Sequence, residues 1–414
     1  MNIQELQNKT ILLLGKSRAF SEDEFFSQLQ FHKISLMKEL NDEVTVVLEG
    51  RMMTPYEQNL SDALYEEKKY TFLAIDVFEK LLAEEIDNDT LLMSLKLSND
   101  KTRLKSFLQN NCIDDALFFK LLKMYSFSGE DFFENDDNRD VSAALIGRFY
   151  ENIERNHNVQ FATTGIYHLV TQTKNEKLLE AIALLTPVKK HPKIMAALAL
   201  HEKTPKSILK MFLKQGDEAV KKAMAYNANL DKIIVYELMK DENMAAIVAQ
   251  NIKLDAELFE RLYAYEGFLA ANTSLDEKMQ KSLLERADDE INMILTTNTS
   301  LHVNSIASLL ALKNTMLDVS LYKNSAVNEK LLRDAYKTEK YDLSLSRNSA
   351  TPKDILEELF KKDEAEILYN LAKNENTPVE ILYQLQLDSR FERAVKTNEA
   401  FGKYIQSQNI GWLV

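Results

Sequence analysis

From about residue 195 onward the apolar and polar positions repeat in blocks of 21 to 26 residues. An Asn marks each block: Asn227, Asn251, Asn272, Asn298, Asn324, Asn348, Asn374 and Asn398, with His201 in the same slot one block earlier. Three residues before each anchor stands an aliphatic side chain: Leu198, Met224, Val248, Leu269, Leu295, Leu321, Leu345, Leu371 and Val395. Seven residues after it come Ile208, Ile234, Leu258, Met279, Ser305, Leu331, Ile355 and Ile381. Eleven after it come Phe212, Leu238, Leu262, Leu283, Leu309, Ala335, Leu359 and Leu385. The last two positions are one helical turn apart and share a face, so each block reads as helix, Asn turn, second helix.

The turn carries its own chemistry. In three blocks the anchor is followed by Thr204-Pro205, Thr351-Pro352 or Thr377-Pro378, which predicts Thr as N-cap and Pro at the first helical position. In others the cap is predicted one residue later, at Asp231, Asp255, Asp276 or Asn328. The anchor Asn is expected to adopt the left-handed conformation of a sharp turn and to serve structure rather than catalysis. Upstream the pattern fades: Phe107, Asn110, Ile113, Asp114, Leu117, Phe118 and Leu121 keep the offsets, and Asn156 with Ile153, Val159, Thr163 and Tyr167 keeps half of them. Blocks too small to bury their own apolar faces must stack. The expected fold is therefore mainly α: an α-solenoid over 86–414, with degenerate repeats over 86–195, clear ones over 196–400, and residues 411–414 helping to cap the end.

Leu371-Ala372-Lys373-Asn374-Glu375-Asn376-Thr377-Pro378-Val379-Glu380-Ile381-Leu382-Tyr383-Gln384-Leu385 resembles the leucine-rich repeat variant family, a relative of HEAT-like helical repeats. That resemblance implies a right-handed superhelix of short helix pairs, a right-handed α-solenoid, and a scaffolding or binding role, with no chemistry of its own.

Residues 1–85 follow another pattern. Thr10-Ile11-Leu12-Leu13-Leu14-Gly15 reads as a buried strand, Ser21 to Glu24 as a capping box opening a helix to about Phe31, and Ile34–Leu40 and Val44–Leu48 as strands. Thr54-Pro55 opens a helix to Glu67, Tyr70–Leu73 is a short strand, and Asp76–Ala83 a last helix. The order is β-α-β-β-α-β-α, a small α/β domain. With the Lys9–Lys16 opening, the Ser21–Glu24 helix start, Val44–Leu48 and Ile75–Leu82, it resembles a BRCT domain. The resemblance implies protein contacts, in some members phosphopeptides or DNA ends. Phosphate-binding members carry Ser or Thr before the glycine that ends the first strand and a Lys in the second helix. Here Leu14 precedes Gly15 and residues 58–63 contain no Lys, which puts a phosphate pocket in doubt. Lys16, Arg18 and Arg51 remain as candidate anion contacts.

Composition narrows the function. Gly (9) and Pro (6) are far below the ~29 and ~21 of average usage, which fits helices joined by Asn, Asp, Ser and Thr turns. The single cysteine, Cys112, excludes an internal disulfide and any cysteine-ligated metal. No apolar run reaches a membrane span's ~20 residues, and the start lacks a secretory signal, so a cytoplasmic location is expected. The six histidines fall at no metal-ligand spacing, and no phosphate-binding loop, dinucleotide or nucleophile-elbow motif is present. No metal, cofactor or catalytic residue is expected.

Charge is uneven. The chain carries 51 basic and 64 acidic residues, net −13. The run from Glu130 to Asp140 is acidic and predicts an exposed loop, with Phe132 and Phe133 as its anchor or as a docking site. Residues 187–240 hold 11 Lys against five acids, about +6: Lys189, Lys190, Lys193, Lys203, Lys206, Lys210, Lys214, Lys221, Lys222, Lys232 and Lys240. The first nine are the candidate nucleic-acid contacts, although the segment lacks Arg, the preferred reader of phosphate and guanine. The leading expectation is a non-enzymatic scaffold that binds a protein partner, the first alternative a DNA-associated binding protein, and the second a HEAT-repeat DNA-repair enzyme. The last relies on aromatics in a basic groove, and the lone Trp412 lies at the far end of the chain from the lysines.

Overall fold

The computed structural model describes residues 2–129, 131–150 and 163–407. Glu130, the half-match at Ile153, Asn156 and Val159, and the C-terminal residues 411–414 with Trp412 lie outside them. The protein is mainly helical with one small N-terminal sheet. It divides into two compact units, Met1–Val220 and Lys221–Val414; position 85 falls inside the first.

In the first unit the expected β-α-β-β-α-β-α order is present: β1 (Thr10–Leu14), α1 (Glu22–Phe31), β2 (Ser35–Met37), β3 (Val44–Glu49), α2 (Pro55–Glu66), β4 (Thr71–Ala74) and α3 (Ile75–Glu84). All strands are parallel, in the order β2-β1-β3-β4, with Ile11 opposite both Leu36 and Val46. Covered on both faces, the central strands read as continuous apolar runs; Ile11, Leu12, Val46, Val47 and Leu48 are fully buried. Strand β2 is shorter than the Ile34–Leu40 run suggests. The chain must leave that edge after Met37 and cross to the far side of β1, where Val44 starts opposite Thr10.

The two helix starts differ in detail. Thr54 and Glu57 close a full capping box on α2. Ser21 caps α1 at 3.4 Å, but Glu24 does not return the bond. Its carboxylate instead accepts from Arg103 Nε at 2.8 Å and Gln28 Nε2 at 2.9 Å.

The acidic run is not a loop throughout. Asn135 accepts the Asn138 N–H at 2.8 Å and starts the helix Asp136–Phe149, so half of the run is helical. Phe132 is fully buried and stacks on His191 with ring centroids 5.4 Å apart. It anchors the segment.

In the second unit short helices alternate, each pair closed at an anchor. Successive leading helices pack on one another, as Glu266–Ala270 does on Asp289–Thr297, and Asp342–Arg347 on Ala365–Lys373. One apolar core runs from Leu301 through Leu345 and Leu371 to Phe401. The aliphatic position three before each anchor and the position eleven after it are buried in every block.

Two turn features depart from expectation. The anchors are not left-handed: Asn298, Asn348 and Asn374 have φ between −72° and −77° with ψ near +120°. In that extended conformation the anchor's own N–H still closes the last helical turn, while its side chain is free to point to the preceding block. The left-handed residues sit at the other end of each pair, at Ala287, Lys313, Glu339 and Asp363. In addition, Thr204, Thr351 and Thr377 do not cap. Pro205, Pro352 and Pro378 occupy the N-cap positions. The buried Thr hydroxyls donate back to Leu198, Leu345 and Leu371 carbonyls at 2.6, 2.7 and 2.8 Å. Asp231, Asp255, Asp276 and Asn328 do serve as N-caps.

Candidate functional site

The anchors form the most regular polar array in the second unit. Asn272, Asn298, Asn324, Asn348, Asn374 and Asn398 are each at most 6% exposed. Each donates its side-chain amide to two carbonyls of the preceding block. Asn298 reaches Ala270 and Asn272, both at 2.9 Å. Asn324 reaches Thr296 at 2.8 Å and Asn298 at 2.7 Å. Asn348 reaches Tyr322 at 3.0 Å and Asn324 at 2.7 Å. Asn374 bonds Ser346 and Asn348, and Asn398 bonds Ala372 and Asn374. From Asn272 to Asn374 each amide oxygen also accepts the N–H two residues on. The result is a ladder of buried, satisfied amides.

Asn227 and His201 make the same local bond. Asn227 Oδ1 accepts the Asn229 N–H at 2.9 Å, and His201 Nδ1 the Lys203 N–H at 3.1 Å. Asn251 differs: it is half-buried and donates within its own helix, to Ile247 at 2.8 Å. That helix runs one residue longer, so Asn272 reaches Ile252 in its place.

At the C-terminal end of β1 the structure brings Lys16, Arg18 and Arg51 together. Lys16 and Arg51 exchange main-chain hydrogen bonds, and both Arg18 and Arg51 reach Asp76, at 3.6 and 3.2 Å. The nearby N–H groups already hold carboxylates. Gly15 N–H donates to Glu57 at 2.9 Å, and Arg18 and Ala19 N–H both donate to the fully buried Glu79 at 2.9 Å. The bonds from Thr54 and Gly15 hold the Glu57 carboxyl below its usual range. Asp76 thus engages the two arginines, while Glu57 and Glu79 occupy the main-chain donors that would cradle an external phosphate.

The lysines are distributed over several elements. Lys189 and Lys190 lie in the short turn Thr186–Lys190, Lys193 in the helix Pro192–Leu200, and Lys203 in the following turn. Lys206, Lys210 and Lys214 fall four residues apart on the helix Lys206–Gln215, all exposed, so they share one face. Lys221 and Lys222 lie on Glu218–Ala225, the first half-buried and the second exposed. Lys232 is neutralised, lying 2.6 Å from Asp255 and 2.8 Å from Glu257.

Sequence reasoning passed over another set of cations, Lys323, Arg347 and Lys373, each one residue before an anchor. The recurrence was readable. Their lack of partners was not, because it depends on which acids the neighbouring blocks present.

Among the described residues no group of three or more His, Cys, Asp or Glu side chains is placed to hold a metal, and no helix is long and apolar enough to cross a membrane. No protein-family model, no curated protein and no solved structure matches the chain.

Proposed function

We propose that the helical part of this chain is an α-solenoid of leucine-rich repeat variant (HEAT-like) character, and that the protein is a non-enzymatic scaffold that binds a protein partner through the exposed faces of its repeats. The asparagine ladder carries this reading. It repeats one interface block after block and uses up the polar groups of the turns, so the outer helix faces are left for recognition. The β-α-β-β-α-β-α order supports a BRCT-like module at the N-terminus. Its own carboxylates fill the donors near Gly15, which favours a module that makes protein contacts without reading phosphate.

The test is affinity capture with the full chain, followed by hydrogen exchange on the recovered complex. A reproducible partner that protects exposed amides on consecutive helix pairs supports the scaffold. No reproducible partner, or one that protects none of the repeats, overturns it.

The lysine face of Lys206–Gln215 favours a second reading, DNA association. Backbone phosphate contacts weaken steeply with salt, so duplex binding should fall by orders of magnitude between ~50 and ~200 mM salt. Weak binding that is equal at both salts removes this reading.

A further inference from the structure

We infer that Lys323, Arg347 and Lys373, at or just past the C-terminal ends of three leading helices, bind an acidic segment of a protein partner in the polyproline-II conformation. This inference rests on the scaffold reading and names the chemistry of the partner.

Three consecutive blocks place a cation immediately before the anchor. All three are exposed, and no carboxylate lies within salt-bridge reach of any of them among the described residues. The trailing helices behave differently: Arg333 pairs with Glu329 and Asp354, Lys337 with Asp334, and Lys361 with Glu358. Two acids on the leading helices are committed elsewhere, Asp318 to Tyr341 and Asp342 to Lys362. A protein of net charge −13 thus keeps three cations unpaired in one line.

Arg347 and Lys373 each have an apolar neighbour four residues earlier on the same helix face, Leu343 and Tyr369, while Lys323 stands in the turn just past its helix, Thr315–Leu321. Leu343 and Tyr369 are each 43% exposed, and Lys373 Nζ lies 4.6 Å from the centre of the Tyr369 ring. A basic residue at a helix C-terminus also complements the helix dipole. That need is not general here, because the helix Asp289–Thr297 ends in Thr with no basic residue in its last turn.

Spacing selects the ligand. The Asn348–Asn324 and Asn374–Asn348 bonds, at 2.7 and 3.0 Å, hold adjacent anchors together, the helices Asp342–Arg347 and Ala365–Lys373 pack on each other, and packed helices lie ~8–10 Å apart. A polyproline-II chain has three residues per turn and rises ~3.1 Å per residue, so every third side chain returns to one face after ~9.3 Å. Acids at every third position meet the three cations in turn, while proline rings between them rest on Leu343 and Tyr369. A β-strand, which returns side chains to one face every second residue after ~6.7 Å, does not match.

The experiment is fluorescence anisotropy with the full chain and a labelled peptide of repeated Glu-Pro-Pro triplets. The control has the same composition with its glutamates in one block. The triplet peptide should bind about tenfold more tightly than the control, and raising the salt should weaken it. Replacing Lys323→Gln, Arg347→Gln or Lys373→Gln singly should weaken binding about two- to fivefold, and all three together at least about tenfold. Equal binding of the two peptides, or an unchanged affinity for the triple variant, overturns the inference. The peptide comparison on unaltered protein stands even where a variant folds poorly. If capture recovers a partner seated on the repeats while the triplet peptide fails, this inference falls alone; if neither binds, the scaffold reading falls as well.

Discussion

Asn374 donates its side-chain amide to the main-chain carbonyl of Asn348, 26 residues earlier, at 3.0 Å, and Asn348 makes the same bond to Asn324 at 2.7 Å. Both asparagines are nearly or fully buried. The bond joins one turn to the next, so the repeat holds itself together through its polar atoms as well as its apolar core.

Removing a rung should be costly. Asn348→Ala strips the buried amide donor from the Tyr322 and Asn324 carbonyls, of which the second keeps the Val327 N–H, and the acceptor from the part-buried Ala350 N–H. The expected loss is about 3 kcal/mol, read as a lowered urea midpoint by circular dichroism. Asn251→Ala breaks only an intrahelical bond of a half-buried side chain and should cost less than about 1 kcal/mol. Equal losses at the two sites would count against the ladder.

The threonines after the anchors should act through their hydroxyls on the preceding helix. Thr351→Val keeps the shape but removes the hydroxyl donor from the Leu345 carbonyl, which keeps only the Asn348 N–H at 3.2 Å, for an expected loss of about 1 kcal/mol. Thr351→Ser retains the donor and should recover most of it. A Ser variant as unstable as the Val variant would sink this account.

Left-handed turns at non-glycine residues offer room for stabilisation. Ala287 has φ +53°, which costs a residue with a Cβ about 1–2 kcal/mol. Ala287→Gly should raise stability by about 0.5–1 kcal/mol after its greater unfolded-state freedom is counted. The same change at Ala307, exposed in a helix interior, should lower stability by about 1 kcal/mol. The two urea midpoints must move in opposite directions.

Glu257 accepts bonds from Lys232, Tyr236 and Arg261, and its carboxyl is lowered to about 2. A carboxyl lowered by folding stabilises the protein above its unfolded value, ~4.3, and that contribution is lost as pH falls through the folded value. The stability difference between wild type and Glu257→Gln should therefore be constant above pH ~4.5 and shrink toward pH 2. A difference independent of pH over that window would contradict the assignment.

The carboxylates near Gly15 make a negative prediction. With Glu57 on its N–H, the Gly15 amide resonance should not move when a phosphoserine peptide is added. A saturable shift would show that an external anion displaces Glu57.

The helix pairs, their apolar faces and the small α/β segment were legible in the sequence because they rest on local periodicity. Leu345 and Leu359 are buried for the reason their spacing states. Thr-Pro was not fully legible. Thr54-Pro55 caps a helix, whereas Thr351-Pro352 sends its hydroxyl back to Leu345. The dipeptide is the same; only the folded turn decides which partner lies within reach. The candidate lysines were visible by composition, as was the recurrence of Lys323, Arg347 and Lys373. That Lys232 is neutralised by Asp255 and Glu257, and that Arg347 meets no carboxylate, depends on residues from other blocks. Sequence alone determined the repeat, since a helix records its buried face in its own periodicity. The tertiary structure decided which polar groups face each other across neighbouring blocks, since those distances exist only once the blocks are stacked.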